Sequence, residues 1–163
     1  MITTRYKQIF NRIFEPAGRI LIRLKFTPNL ITLLGLLLGI LTCVIFILTK
    51  NVILFCTLLF VTSLFDALDG TVARLSGRVT KFGAYLDAVC DRIFEGSVTV
   101  AVASVTGYWF LMFLLLMGAL ITSYAKARAA IEISISNSEW PDFMERMERG
   151  MIFIFGFLIS DLT

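Results

Sequence analysis

From Pro28 to Thr49 no side chain carries a charge, and the same holds from Asn51 to Phe65 and from Ser97 to Ala125. About twenty apolar residues wound as a helix match the ~30 Å hydrocarbon thickness of a bilayer. A segment in lipid must also satisfy its own backbone hydrogen bonds, which a helix does within itself. These runs therefore constrain the chain to an all-α, polytopic membrane helix bundle. Composition agrees. Of 163 residues, 58% are hydrophobic and 17% charged, where soluble domains hold roughly half and a quarter.

Two units are expected, an interfacial segment at 1–26 and a transmembrane domain at 27–163. In the first, Tyr6, Ile9, Phe10, Ile13, Phe14, Ala17 and Leu21 recur at helical spacing, and Arg5, Lys7, Arg12, Arg19 and Arg23 occupy much of the remainder. That pattern predicts an amphipathic helix in the membrane interface, its cations facing lipid head groups. Pro16 is expected to kink or divide it. No removable signal peptide is visible there. Thr27-Pro28-Asn29 reads as a helix start, with Thr27 as N-cap and Pro28 in the first turn.

Spans are then expected from there to Thr49, from Asn51 to Leu75 or Ser76, from Phe82 to Val105, and from Tyr108 to Ile131. A fifth helix begins near Trp140 to Asp142 and is apolar from Met151 to Ile159. Gly35 and Gly39 make a small-x-x-x-small pair, suited to close packing within the bundle or to dimerisation. Cys43, Cys56 and Cys90 fall inside spans without metal-type spacing and read as packing residues. Of the 15 Lys and Arg, all but Lys50 lie near the N-terminus, in the 74–92 region or in the 126–149 region. Five alternating spans place all three groups on one side, which the positive-inside rule makes cytoplasmic.

Into this apolar chain the stretch 66–91 sets four carboxylates. Asp66 and Asp69 are three apart, and Asp87 and Asp91 four apart, so each pair shares a helix face. Two helices joined through the short segment from Arg74 to Lys81 return antiparallel and bring the pairs together. An ionised Asp in hydrocarbon costs at least a few kcal/mol, so such residues are functional by default. Carboxylates this close stay protonated unless a cation neutralises them. An all-oxygen, all-anionic set suits hard divalent ions, Mg2+ or Mn2+.

The run reads D-x-x-D-G-x-x-A-R, eight residues, then G-x-x-x-D-x-x-x-D, its fixed positions being Asp66, Asp69, Gly70, Ala73, Arg74, Gly83, Asp87 and Asp91. It resembles the signature of the CDP-alcohol phosphotransferases, integral membrane enzymes of phospholipid synthesis. The resemblance implies two metal ions at Asp66, Asp69, Asp87 and Asp91, clamping a pyrophosphate while CMP leaves. For Asp91 it implies a role as general base on the acceptor hydroxyl. The nucleotide is then expected along Asp66, Asp69, Gly70, Ala73, Arg74, Gly83 and Asp87. Gly70, Ala73 and Gly83 lack bulk and allow close approach, while Arg74 offers a fork to the diphosphate.

Lys126, Arg128, Arg146 and Arg149 form a second cationic group at two helix ends. A phosphorylated acceptor needs such a cluster, whereas free serine or an aminoalcohol does not. Ser123-Tyr124-x-Lys126-Ala127-Arg128-Ala129 and Glu145-Arg146-x-Glu148-Arg149 are similar to segments of the phosphatidylinositol-phosphate and archaetidylinositol-phosphate synthases. That implies these four cations hold the phosphate of inositol phosphate. Positions 126 and 128 lie about 200° apart on a regular helix, so both reach one phosphate only where the helix end is irregular.

The implied donor is CDP-diacylglycerol or CDP-archaeol, and the implied assembly a homodimer in the cell membrane, with no nucleic acid partner. The family has six spans, so a truncation before a sixth is expected. Alternatives are glycerol 3-phosphate as acceptor and CDP-inositol as donor. From a different class comes a divalent cation transporter, against which the clustering of charge on one side counts.

Overall fold

A computed structural model describes residues 14–132. Among these residues all regular structure is helical: α1 at 14–23, α2 at Pro28–Thr49, α3 at Val52–Leu75, α4 at Lys81–Thr106 and α5 at Trp109–Glu132. The first thirteen residues and 133–163, including the expected fifth span with Arg146 and Arg149, lie outside the described residues. Pro16 falls inside α1, and residue 12, four positions before it, is likewise outside.

Local chemistry sets the boundaries. Thr27 caps α2, its hydroxyl accepting from the Leu30 N–H at 3.3 Å, with Pro28 at the first helical position. Asn51 caps α3 by accepting from the Leu54 N–H at 2.9 Å, and Thr80 caps α4 by accepting from the Gly83 N–H at 2.9 Å. The α3 helix closes on Gly77 at φ 64°, where the Arg78 N–H reaches back to the Ala73 carbonyl at 3.0 Å. That left-handed closure favours glycine and turns the chain within six residues into α4.

Helices α2, α3 and α5 are long and apolar enough to cross a membrane. The 26-residue α4, expected as a span too, is longer, about 39 Å at 1.5 Å per residue. It carries Lys81, Asp87, Asp91, Arg92 and Glu95, so composition alone does not mark it. Its packing does: it begins beside Asn29 at the start of α2 and ends among Phe46 and Phe55 at the opposite end.

The arrangement is organised by α2, which packs against both α3 and α4, while α5 packs on α4. No Cα of α3 comes within 8 Å of one of α4. Gly39 is what lets α2 approach both neighbours closely. A Cβ on Gly39 would meet the Phe94 ring at 2.5 Å, and one on Gly35 would meet the Phe65 Cβ at 3.5 Å. The small-residue pair therefore packs inside one bundle, Gly35 against α3 and Gly39 between α4 and Thr62 of α3. The interior concentrates at the end away from the aspartates. There Cys43, Phe46, Phe55, Leu59, Ala101, Val102, Ala103 and Met112 form one buried cluster, with Phe46 stacked on Phe55 at 4.0 Å between ring centroids.

Candidate functional site

At the other end the start of α2, the end of α3 and the start of α4 come together. Oxygens of Asp66, Asp87 and Asp91 lie within 4.8 Å of one another, Asp66 being exposed and the other two half-buried. Three carboxylates from two helices converge although the helix backbones stand apart. The gap between α3 and α4 is therefore bridged by acidic side chains rather than closed by packing. Such a set of oxygens fits a hard divalent cation, which accepts mixed carboxylate denticity and keeps some water.

Asp69 stands differently. Its side chain is 7% exposed, and its Oδ2 accepts from the Thr32 hydroxyl of α2 at 2.6 Å. The three-residue spacing explains the split. Positions three apart differ by about 60° around a helix, whereas positions four apart differ by about 40°. With α2 lying beside α3, that extra rotation turns Asp69 toward α2 while Asp66 faces α4. Asp87 and Asp91 stay together.

The remaining expected residues take these places. The Arg74 guanidinium folds back along α3, with Nη2 donating to the Thr71 hydroxyl at 3.2 Å, and Nη1 lies 3.2 Å from where a Gly70 Cβ would stand. Gly70 therefore makes room for Arg74 itself. Ala73 is half-buried on the next turn. A Cβ on Gly83 would meet the Thr80 hydroxyl at 3.1 Å and the Asn29 amide oxygen at 3.3 Å, so this glycine seats the start of α4 against α2. Lys126 is half-buried and Arg128 exposed, the latter paired with Glu132 at 2.6 Å. The α5 helix stays regular through Glu132. The irregular end needed to bring positions 126 and 128 onto one phosphate is thus not present in the described residues. Arg146 and Arg149 lie beyond them.

Sequence reasoning passed over three residues at this site. Arg92 approaches Asp91 Oδ2 at 3.7 Å through Nη2 and Glu95 Oε2 at 3.4 Å through Nε. Both Arg92 Nε and Glu95 Oε2 are buried without a hydrogen-bond partner, so this contact is one of charge rather than alignment. The signal was legible: two ionisable residues halfway along a span. Thr32 gave no such sign, because a threonine four residues after Pro28 looks like ordinary bonding to its own helix.

A family model for CDP-alcohol phosphatidyltransferases matches residues 25–160. The archaetidylinositol phosphate synthase of Pyrococcus horikoshii is 36% identical over 161 residues, covering 98% of this chain and 81% of that protein. The phosphatidylinositol phosphate synthase of Mycobacterium tuberculosis is 36% identical over 167 residues, covering 93% of this chain and 72% of that one. A crystal structure of the M. tuberculosis phosphatidylinositol phosphate synthase with CDP-DAG bound superposes with a TM-score of 0.80 at 32% identity, over 92% of this chain and 77% of that chain. A second, in complex with manganese and citrate, gives 0.81 at 30% identity, over 91% and 73%.

Proposed function

Because the chain belongs to the CDP-alcohol phosphatidyltransferase family, and is a membrane transferase using divalent metal, we propose that it moves a phosphatidyl-type group from a CDP-linked lipid to inositol 1-phosphate, releasing CMP. The observation that supports this most is the convergence of Asp66, Asp87 and Asp91 oxygens within 4.8 Å at one end of the bundle. With Asp69 beside them, they would hold two ions, Mg2+ or Mn2+. Bound there, such ions supply charge neutralisation to the diphosphate and to the attacking and leaving oxygens.

The protein's own groups do the rest. Asp91 takes the proton of the acceptor hydroxyl as its oxygen forms a bond to the lipid-side phosphorus. The anhydride bond to the cytidine-side phosphate breaks, and CMP departs with the electron pair. Arg74, lying along α3 beside Gly70, is one turn from Asp69 and Gly70 and presents its fork to the diphosphate. Asp66, Asp69, Gly70, Ala73, Gly83 and Asp87 line the nucleotide. Lys126, Arg128, Arg146 and Arg149 are assigned to the acceptor phosphate, and for Arg128 this requires both release of Glu132 and local unwinding of α5 when the acceptor binds.

The names of the relatives favour inositol phosphate over glycerol 3-phosphate, and CDP-DAG in the superposed structure favours a lipid donor over CDP-inositol. Residues 1–26 lie in the interface, 27–163 form the transmembrane domain, the site faces the cytoplasm, and two copies associate. The test is CMP release from CDP-diacylglycerol and from CDP-archaeol, with inositol 1-phosphate, glycerol 3-phosphate or free serine as acceptor. Turnover with inositol 1-phosphate that stops on chelation and returns with Mg2+ or Mn2+ is expected. Turnover with free serine alone contradicts the phosphate-binding role of the cations.

A further inference from the structure

We propose that Thr32 is a positioning residue for the reaction: its hydroxyl orients Asp69 for the cation–diphosphate site. The inference rests on the reading of Asp69 as a metal carboxylate. It starts from how threonines behave elsewhere in the bundle. Thr42, Thr49, Thr57 and Thr62 hold their hydroxyls 2.8–2.9 Å from the carbonyl four residues back. That is the ordinary state of a threonine inside a membrane helix.

Thr32 departs from it. Its Oγ1 is 3.1 Å from the Pro28 carbonyl and 2.6 Å from Asp69 Oδ2 on another helix. A hydroxyl has one proton to donate, and the shorter contact lies in the range of a charge-assisted O–H···O⁻ bond. The proton therefore goes to Asp69. Among the described residues Asp69 is the one buried acid, so this bond fixes a carboxylate that solvent reaches little. A carboxylate offers about four lone-pair sites, so the bond orients Asp69 and still leaves it sites for a cation.

The bond persists when the carboxylate meets a cation, so Thr32 holds Asp69 in one orientation through the binding event. The start of α2 contributes no carboxylate, yet through one O–H it sets the orientation of Asp69.

The experiment is Mn2+ binding to the full chain in detergent, read from the paramagnetic resonance signal of free Mn2+, for wild type, Thr32→Val, Thr32→Ser and Asp69→Asn. Removing a group that orients a metal ligand lowers metal affinity by roughly 10–100-fold. Thr32→Val is expected to do so, and to raise the KM for Mn2+ more than it lowers kcat, while Thr32→Ser binds like wild type. Unchanged affinity in Thr32→Val overturns the proposal, as does a loss in Thr32→Ser equal to that in Thr32→Val. Should the valine variant not fold, the Thr32→Ser and Thr32→Ala pair differs by the hydroxyl alone and decides on the same criterion. Asp69→Asn separates the two readings. Weak binding there with normal binding in Thr32→Val sinks Thr32 alone, whereas normal binding in Asp69→Asn removes Asp69 as a metal ligand and the inference with it.

Discussion

At one end of the bundle Phe46 stacks on Phe55 at 4.0 Å, and Cys43, Ala101, Val102 and Met112 close around them. Cα atoms of α3 and α4 nowhere come within 8 Å of one another, and at the other end what reaches across is Asp66, Asp87 and Asp91. The same helices build both ends, so the difference lies in the side chains. Large apolar groups fill the space between helices at the far end. At the site end the groups that meet between α3 and α4 are acidic, and they repel one another unless a cation lies among them. Packing at the far end thus holds the helices together while charge is gathered at the site end.

The comparison can be broken most severely at Asp91. Asn there removes the proposed base with little change in shape, and turnover is expected to fall by about 10²–10⁴-fold. Nucleotide binding, followed with labelled CDP-diacylglycerol, stays near wild type, as does thermal stability. At the far end the pattern inverts. Phe46→Ala, with Phe46 fully buried, is expected to lose about 3–5 kcal/mol of stability, measured by unfolding in mixed micelles. The Mn2+ affinity of the remaining folded protein is unchanged.

Between the ends, Gly39→Val sets a side chain into the Phe94 ring and is expected to destabilise by about 1–3 kcal/mol through overpacking. Because Phe94 lies one turn from Asp91 on α4, a smaller loss of turnover accompanies it. The smallest effect is expected at Arg128. Its pair with Glu132 is exposed on one helix, so Arg128→Ala changes thermal stability by no more than a few tenths of a kcal/mol. Its KM for inositol 1-phosphate rises less than that of Lys126→Ala.

Much of this was legible in the sequence, for definable reasons. Uncharged runs gave α2, α3 and α5, because the length and polarity of a span follow from the bilayer. Thr27 marked the start of α2 because capping is local chemistry, whereas Thr80, which caps α4, was passed over in the polar connection. Helical spacing and a short turn led to the meeting of two aspartate pairs, and oxygens of three of the four converge. What spacing could not give was which helix lies beside which. Asp66 and Asp69 look like one pair on a helix wheel, but α2 packs beside α3, and the rotation between them sends Asp69 to Thr32. Nor could spacing show that the Arg74 guanidinium lies 3.2 Å from where a Gly70 Cβ would stand. The position of α2, in contact with both α3 and α4, is a tertiary fact with no local signature.

The most direct measurement is anomalous scattering from crystals soaked with Mn2+ and a CDP-linked lipid. Density for bound manganese between Asp66, Asp87 and Asp91, in contact with the diphosphate, is the predicted result. Nucleotide bound with no manganese at these carboxylates, or manganese held elsewhere in the bundle, would contradict it.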